Sequence, residues 1–313
     1  GAGQMWEIVA RKFEEMGGVI HTNSYLLNIN KKNSKIKSLT CAMDGEPIEV
    51  ETDIVISTMP IKDLIIGMND VPGNIIDIAS HLCYRDFVTV SLLVPKLNIN
   101  VDSSTKTLGN IIPDTWIYIQ DKRRKLARVQ IYNNWSPYLV KDPENSVWVG
   151  CEFYCEEGDN DWNRSEEEWV RFAKQEMSFL HLISSSTPVL ESHKECVKKA
   201  YPSYFGSYNR FEDVIQYLDT IPNLYCIGRN GQHKCHDMAY SMMTAFAAVK
   251  SIVYNVQNRT NVWNVKQGES VADAPVVTKS YQTSSPVPPK ANSYVPPTPV
   301  KTPSKPIEVP SAP

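Results

Sequence analysis

From Gln4 to Met16 the apolar residues Met5, Ile8, Val9 and Phe13 recur at helical spacing, and Gly17-Gly18 follows as a stop. The pattern predicts an amphipathic helix. Val19 to Ile29, Lys35 to Met43 and Ile48 to Thr52 read as strands, with Asp44-Gly45 as a turn. The run Asp53-Ile54-Val55-Ile56-Ser57-Thr58 is apolar without alternation, as expected of a strand covered on both faces of a parallel sheet. It leads through Pro60 into a short helix from Lys62 to Ile66. Phe87 to Val94, Thr115 to Gln120, Leu126 to Tyr132 and Ser146 to Cys155 are rich in β-branched and aromatic residues and predict a mostly antiparallel sheet. Helical spacing returns at Glu166 to Leu182 through Trp169, Phe172, Ala173, Glu176 and Leu180. Near the end, Leu224 to Gly228 reads as a short buried strand and Met238 to Tyr254 as a long helix dense in Met and Ala.

Composition adds a boundary. Of 21 prolines in 313 residues, 11 lie between Pro275 and Pro313, where large apolar residues almost vanish. Such a stretch cannot offset its ordering entropy by burial, so residues 264–313 are expected to be a disordered, proline-rich tail of polyproline II character. It suits an inert tether or a ligand for a proline-reading partner. The net charge of −3 forecasts no nucleic-acid partner. The basic run Lys122-Arg123-Arg124-Lys125 lies between two alternating segments and reads as a hairpin tip, either a solvated turn or a phosphate-binding patch. Seven cysteines without a regular framework, no signal peptide and no apolar run of membrane-spanning length point to a reduced cytoplasmic location with no membrane partner. The sequons at Asn163 and Asn258 read as chance matches.

Candidate chemistry is sparse. Gly1-Ala2-Gly3-Gln4-Met5-Trp6 lacks the preceding strand and the third glycine of a dinucleotide fingerprint. Cys226, His233, Cys235 and His236 cluster without a second ligand pair, so no metal is expected. No nucleophile elbow of a hydrolase occurs. The stretch from Gly228 to Met238 is different, because a buried strand there delivers a loop onto a helix N-terminus. That arrangement presents free N–H groups and a positive dipole end, suited to a pyrophosphate or the electron-rich edge of an isoalloxazine, and Arg229 adds a forked cation. An ordinary strand-to-helix turn with Asp237 as N-cap satisfies the same residues.

At this stretch the sequence resembles the C-terminal flavin-binding segment of FAD-dependent oxidoreductases of the flavin-containing amine oxidase superfamily, in the branch resembling UDP-galactopyranose mutase. Gly228, Arg229, Asp237 and Met238 match that segment. The resemblance implies FAD as cofactor, Arg229 near its pyrophosphate and the backbone of Met238 near the flavin pyrimidine edge. Gly3 to Ile29 resembles the superfamily's helix, Gly-Gly and strand element, which implies Leu26 beside the adenine. Asp53 to Pro60 resembles the strand ending that places Thr58 by the cofactor. Trp116-Ile117-Tyr118 and Asn134-Trp135-Ser136-Pro137 also look like members of the group. Trp116, Tyr118, Trp135 and His233 are the candidates for contact with a small-molecule substrate.

The fold class that follows is α/β: the remainder of a Rossmann-like FAD-binding layer (residues 1–80 and 215–258) interleaved with a mostly antiparallel substrate-facing domain (81–214), plus the tail. The family's glycine-rich βαβ unit is not in the sequence, so a separate N-terminal half is an expected partner. The expected activity is hydride transfer from a substrate to flavin. One alternative is a non-catalytic interaction protein that keeps the fold without FAD. The other is a sugar-nucleotide mutase-like flavoenzyme, although His233 and Cys235 stand where the mutases carry tyrosines.

Overall fold

The computed structural model describes residues 1–99 and 104–265. All but the first two positions of the expected tail lie outside the described residues.

The first helix, α1 (Ala2–Glu15), forms where the apolar stripe predicts it and ends ahead of Gly17, whose φ of 90° suits glycine. It buries none of its residues, and Met5, Trp6, Ile8, Val9 and Phe13 all lie exposed. An antiparallel meander follows: β1 (Ser24–Lys32), β2 (Lys35–Met43) and β3 (Glu46–Glu51). Its two tight turns use Asn33-Ser34 and Asp44-Gly45, all four with positive φ, which matches the twist of the strands they join. β4 (Val55–Ser57) then leads to α2 (Ile61–Ile66) and α3 (Gly73–Ser80).

The antiparallel body comprises β5 (Tyr84–Val94), β6 (Trp116–Tyr118), β7 (Leu126–Ile131), a single turn α4 (Tyr132–Trp135), β8 (Val147–Cys155), α5 (Glu166–Phe179) and β9 (Glu191–Pro202). The sheet order is β6-β7-β8-β5-β9. Strand alternation sends Val88, Val90, Leu92, Val129, Val149, Cys151 and Phe153 to one face, where they pack against Trp169, Ala173 and Met177 of α5. A capping box between Ser165 and Glu168 starts α5. Glu176 is buried on it, and accepts hydrogen bonds from Arg124 Nη1 (3.1 Å) and the backbone N–H groups of Lys125 (3.0 Å) and Leu126 (3.2 Å). The basic hairpin tip is thereby paired with the protein's own acids, since Arg123 also meets Asp121 and Lys125 meets Asp161.

The chain returns to the first half through α6 (Phe211–Asp219), β10 (Leu224–Cys226), the single turn α7 (Gly228–Gly231), α8 (Met238–Val253) and α9 (Thr260–Trp263). β10 pairs parallel with β4, Tyr225 opposite Ile56. Ile29, Ile36, Ile61, Leu64, Ile78, Val214, Leu218 and Leu224 form the core beneath this pair. Asn223 stitches it together: its side chain bonds both backbone groups of Ile36 and the carbonyl of Asp53. Val55 and Ser57 face inward, while Ile54 and Ile56 are exposed. The apolar run predicts cover on both faces of this strand, and within the described residues only one face has it.

Six elements escape the sequence reading, among them the single turns α4, α7 and α9. β9 is an edge strand whose Lys- and Glu-rich sequence hides its period, and α3 and α6 are short. The strand expected over Val19 to Ile29 begins only at Ser24. No helix among the described residues is long and apolar enough to cross a membrane.

Candidate functional site

The strand-to-helix corner at Gly228 is built by close backbone approach. Gly228 has a φ of 74°, and its N–H donates to Thr244 Oγ1 of α8 at 2.8 Å. The N–H of Ile227 donates to the carbonyl of Ser57 at 2.9 Å, which brings the end of β4 and Thr58 against α7. Gly231 completes this contact: a Cβ there would stand 2.6 Å from Ser57 O and 3.3 Å from Thr58 Cα. Thr58 itself is exposed.

Asp237 caps α8, and its carboxylate accepts the N–H of Tyr240 at 2.8 Å. The N–H of Ser241 goes to the Asp237 carbonyl. The amides of Met238 and Ala239, at the positive end of the helix, have no acceptor within the helix. Buried polar atoms without partners gather in the same segments: Ser57 Oγ, Asn230 Oδ1 and His236 Nδ1. An N-cap and a donor-bearing helix end therefore coexist here.

Arg229 is already engaged by the protein. Nε donates to the His236 carbonyl at 2.7 Å and Nη1 to the Ala200 carbonyl at 3.2 Å, and the guanidinium lies 4.9 Å from the centre of the Tyr201 ring. Asn230 Nδ2 reaches the Lys199 carbonyl at 3.1 Å. These acceptors are offered by a bulge in β9, where Lys199 has a φ of 50°. Asp86 fixes the bulge by accepting the Lys199 N–H at 2.6 Å, and the Lys199 ammonium bridges to Asp63 of α2 at 2.6 Å. The corner is thus pinned to the end of the antiparallel sheet.

The structure brings most of the anticipated substrate residues together. Trp116 and Trp135 meet edge to face with ring centres 5.1 Å apart. They and Tyr118 are 41%, 49% and 60% exposed, on the sheet face opposite α5. Between them and the corner stands Arg128, which no sequence motif marks. Its guanidinium lies 5.0 Å from the Trp116 ring, and its Nη2 reaches the Tyr201 hydroxyl at 3.5 Å. Trp135, Trp116, Arg128, Tyr201 and Arg229 form one continuous row. A signal existed in the alternation, because β6, β7 and β8 place Trp116, Tyr118, Arg128, Gln130, Glu152 and Tyr154 on one face.

His233 and Leu26 lie elsewhere. His233 has no exposed surface; its ring packs against Tyr84, Tyr208 and Phe211, and Nε2 donates to the Ser203 carbonyl at 3.1 Å. Burial pushes its pKa below the usual histidine value. A neutral imidazole in an aromatic box is interior packing in this structure, not a surface that a substrate can touch. Leu26 sits on β1 opposite Cys41, partly buried against the core under the parallel pair. Cys235 is exposed and His236 points its carbonyl at Arg229, and among the described residues no three His, Cys, Asp or Glu side chains are grouped to hold a metal ion.

No protein-family model matches the chain, and no curated protein matches it. Solved structures do. The chain superposes on reduced UDP-galactopyranose mutase with a TM-score of 0.68 and 18% identity, over 84% of this chain and 54% of the mutase. An oxidoreductase from Methanosarcina mazei (TM-score 0.47, 13% identity, 74% of this chain and 50% of that one) is more remote. So is a putrescine oxidase redesigned in its cofactor binding (TM-score 0.46, 14% identity, 67% and 44%). At such identity the likeness is one of fold: over the matched part, this chain has the fold of the mutase. It spans about half the length of that structure.

Proposed function

We propose that this chain is the greater part of an FAD-dependent oxidoreductase of the amine-oxidase kind. The cofactor's redox end lies at the corner formed by Thr58, Gly228, Arg229 and the first turn of α8, and the substrate lies across the aromatic sheet face. The observation that carries the reading is the continuity of the corner with that face through Tyr201 and Arg128. Bound FAD would supply the hydride acceptor. The chain's own residues do the placing. The amides of Met238 and Ala239 and the helix dipole favour an electron-rich edge at that point. Gly228 and Gly231 keep side chains out of the close approach, and the orphaned Ser57 Oγ and Asn230 Oδ1 are polar atoms in want of a partner. Trp116, Tyr118 and Trp135 offer aromatic surface on the side where a substrate would rest. His236, whose pKa is lowered by burial, stays neutral beside Arg229.

The ADP half of the cofactor needs a glycine-rich β-α-β unit, and we infer that such a unit, in the same or a separate polypeptide, covers α1 and the outer face of β4. The exposed stripe of Met5, Ile8, Val9 and Phe13 and the outward Ile54 and Ile56 support this, since parallel strands are otherwise buried on both faces. The test is to fuse the dinucleotide-binding unit of a UDP-galactopyranose mutase ahead of Gly1 and measure co-purified flavin by its visible absorbance. Stoichiometric flavin is expected. A folded fusion that remains colourless, and takes up no FAD in titration, sinks the proposal.

A further inference from the structure

On the open face of the antiparallel sheet stands an ion pair that packing does not require. Glu152 interrupts an otherwise apolar strand and is only 4% exposed. Its carboxylate accepts hydrogen bonds from Arg128 Nε at 2.9 Å, from Arg128 Nη2 at 3.0 Å and from the Gln130 amide. An ion pair so deeply set adds little stability over an apolar pair of similar volume. It delivers geometry: a guanidinium held in one plane between the rings of Trp116 (5.0 Å) and Tyr118 (5.7 Å). The third nitrogen, Nη1, carries two N–H groups, and the Tyr118 hydroxyl stands 3.4 Å from it, long for a hydrogen bond.

Two further guanidinium groups lie on this side of the sheet. Glu152 neutralises Arg128. Arg229 stacks on Tyr201 and Arg85 on Tyr154 (5.4 Å), and neither forms an ion pair among the described residues. At the edge of the face β9 adds two acids, Glu191 and Glu195, and His193 Nε2 stands 3.5 Å from Glu195. The result is a face whose central carboxylate is saturated by Arg128 and Gln130, with two guanidinium groups outside any ion pair among the described residues. Trp116 and Trp135 beside it offer an apolar wall.

We propose that Arg128 anchors the substrate through an oxyanion, with Glu152 and Gln130 as positioning residues and Trp116 and Trp135 taking the apolar body. The substrate is thereby a small organic acid, a carboxylate or a phosphate ester. This rests on reading the sheet face as the substrate side, but its test needs no flavin. The whole chain is titrated with benzoate and, separately, with phenyl phosphate, following tryptophan fluorescence and calorimetry. Saturable binding of at least one is expected, and the stronger of the two identifies the acid. Arg128→Lys, which keeps the charge and loses the planar fork, should weaken it about tenfold. Glu152→Gln raises the net charge of the face, which on charge alone would tighten anion binding, whereas loss of positioning weakens it. Arg123→Ala, at the remote hairpin tip, should change nothing. Thermal unfolding of each variant shows that the fold persists. Binding of neither acid, or affinity that survives Arg128→Lys, overturns the proposal, and tighter binding by Glu152→Gln removes the positioning role. Anion binding that depends on Arg128 in a protein that never takes up flavin leaves this inference standing and the flavin reading fallen.

Discussion

Replacing Gly231 by alanine tests the corner directly. The added Cβ would lie 2.6 Å from the Ser57 carbonyl oxygen, against 3.4–4 Å for ordinary contact, and 3.3 Å from Thr58 Cα. Both are backbone atoms and cannot swing aside. The Ser57 carbonyl is also the acceptor for Ile227, so retreat lengthens a bond now 2.9 Å long. Overpacking of this kind costs about 1–3 kcal/mol. For a protein of this size that is a fall in melting temperature of roughly 2–4 °C per kcal/mol. Scanning calorimetry, with urea unfolding as a second measure, reads it. Gly3→Ala is the control, since nothing lies within 4 Å of its Cβ, and it should be nearly neutral. A Gly231→Ala protein within about 0.5 kcal/mol of wild type would refute the claim that this glycine exists for close approach. In a flavin-loaded protein the same change should weaken FAD retention, because the displaced backbone is that of Thr58.

Other outcomes follow from the same geometry. Glu176→Ala leaves Arg124 and the backbone N–H groups of Lys125 and Leu126 without their acceptor and should cost about 3–5 kcal/mol in chemical denaturation; a loss below 1 kcal/mol would mean that water replaces the carboxylate. Arg229→Ala should lower FAD affinity in the completed protein by about 1–3 kcal/mol and, because it also unties the corner from Ala200, lower stability; equal flavin occupancy would remove the assignment. Burial depresses the pKa values of His233 and His236, so the unfolded chain binds more protons as the pH falls. Stability should be full well above pH ~6.5 and decline once the pH drops below that unfolded value. His233→Phe should flatten the decline, and an unchanged slope would place its origin elsewhere. Val9→Ser, on the uncovered stripe of α1, should alter the stability of the chain by less than about 0.5 kcal/mol, whereas a buried Val9 would cost far more.

Much of this protein is legible in the sequence because its signals are local. The helical period of Met5 to Phe13, the turns at Asp44-Gly45 and Gly17-Gly18, and Asp237 ahead of a long helix each depend on neighbours within a few residues. A richness in β-branched and aromatic residues likewise announced β5 through β8, and the alternation of Trp116 to Ile119 puts Trp116 and Tyr118 on a shared face. Propensity and patterning act over that range and need no knowledge of the rest of the chain.

What only the tertiary structure decided are relations across long separations. Arg128 and Glu152 become a fork only when β7 pairs with β8. Tyr201 joins them to Arg229 because a bulge in β9 turns the carbonyl of Ala200 toward the corner. His233 looked like a loop residue at the site, yet Tyr84, Tyr208 and Phe211 enclose it, and no local pattern records such an enclosure. The stripe on α1 shows the converse: the sequence determines that a face is apolar, but which surface covers it is a property of the assembled fold, because burial depends on what other segments bring to that place.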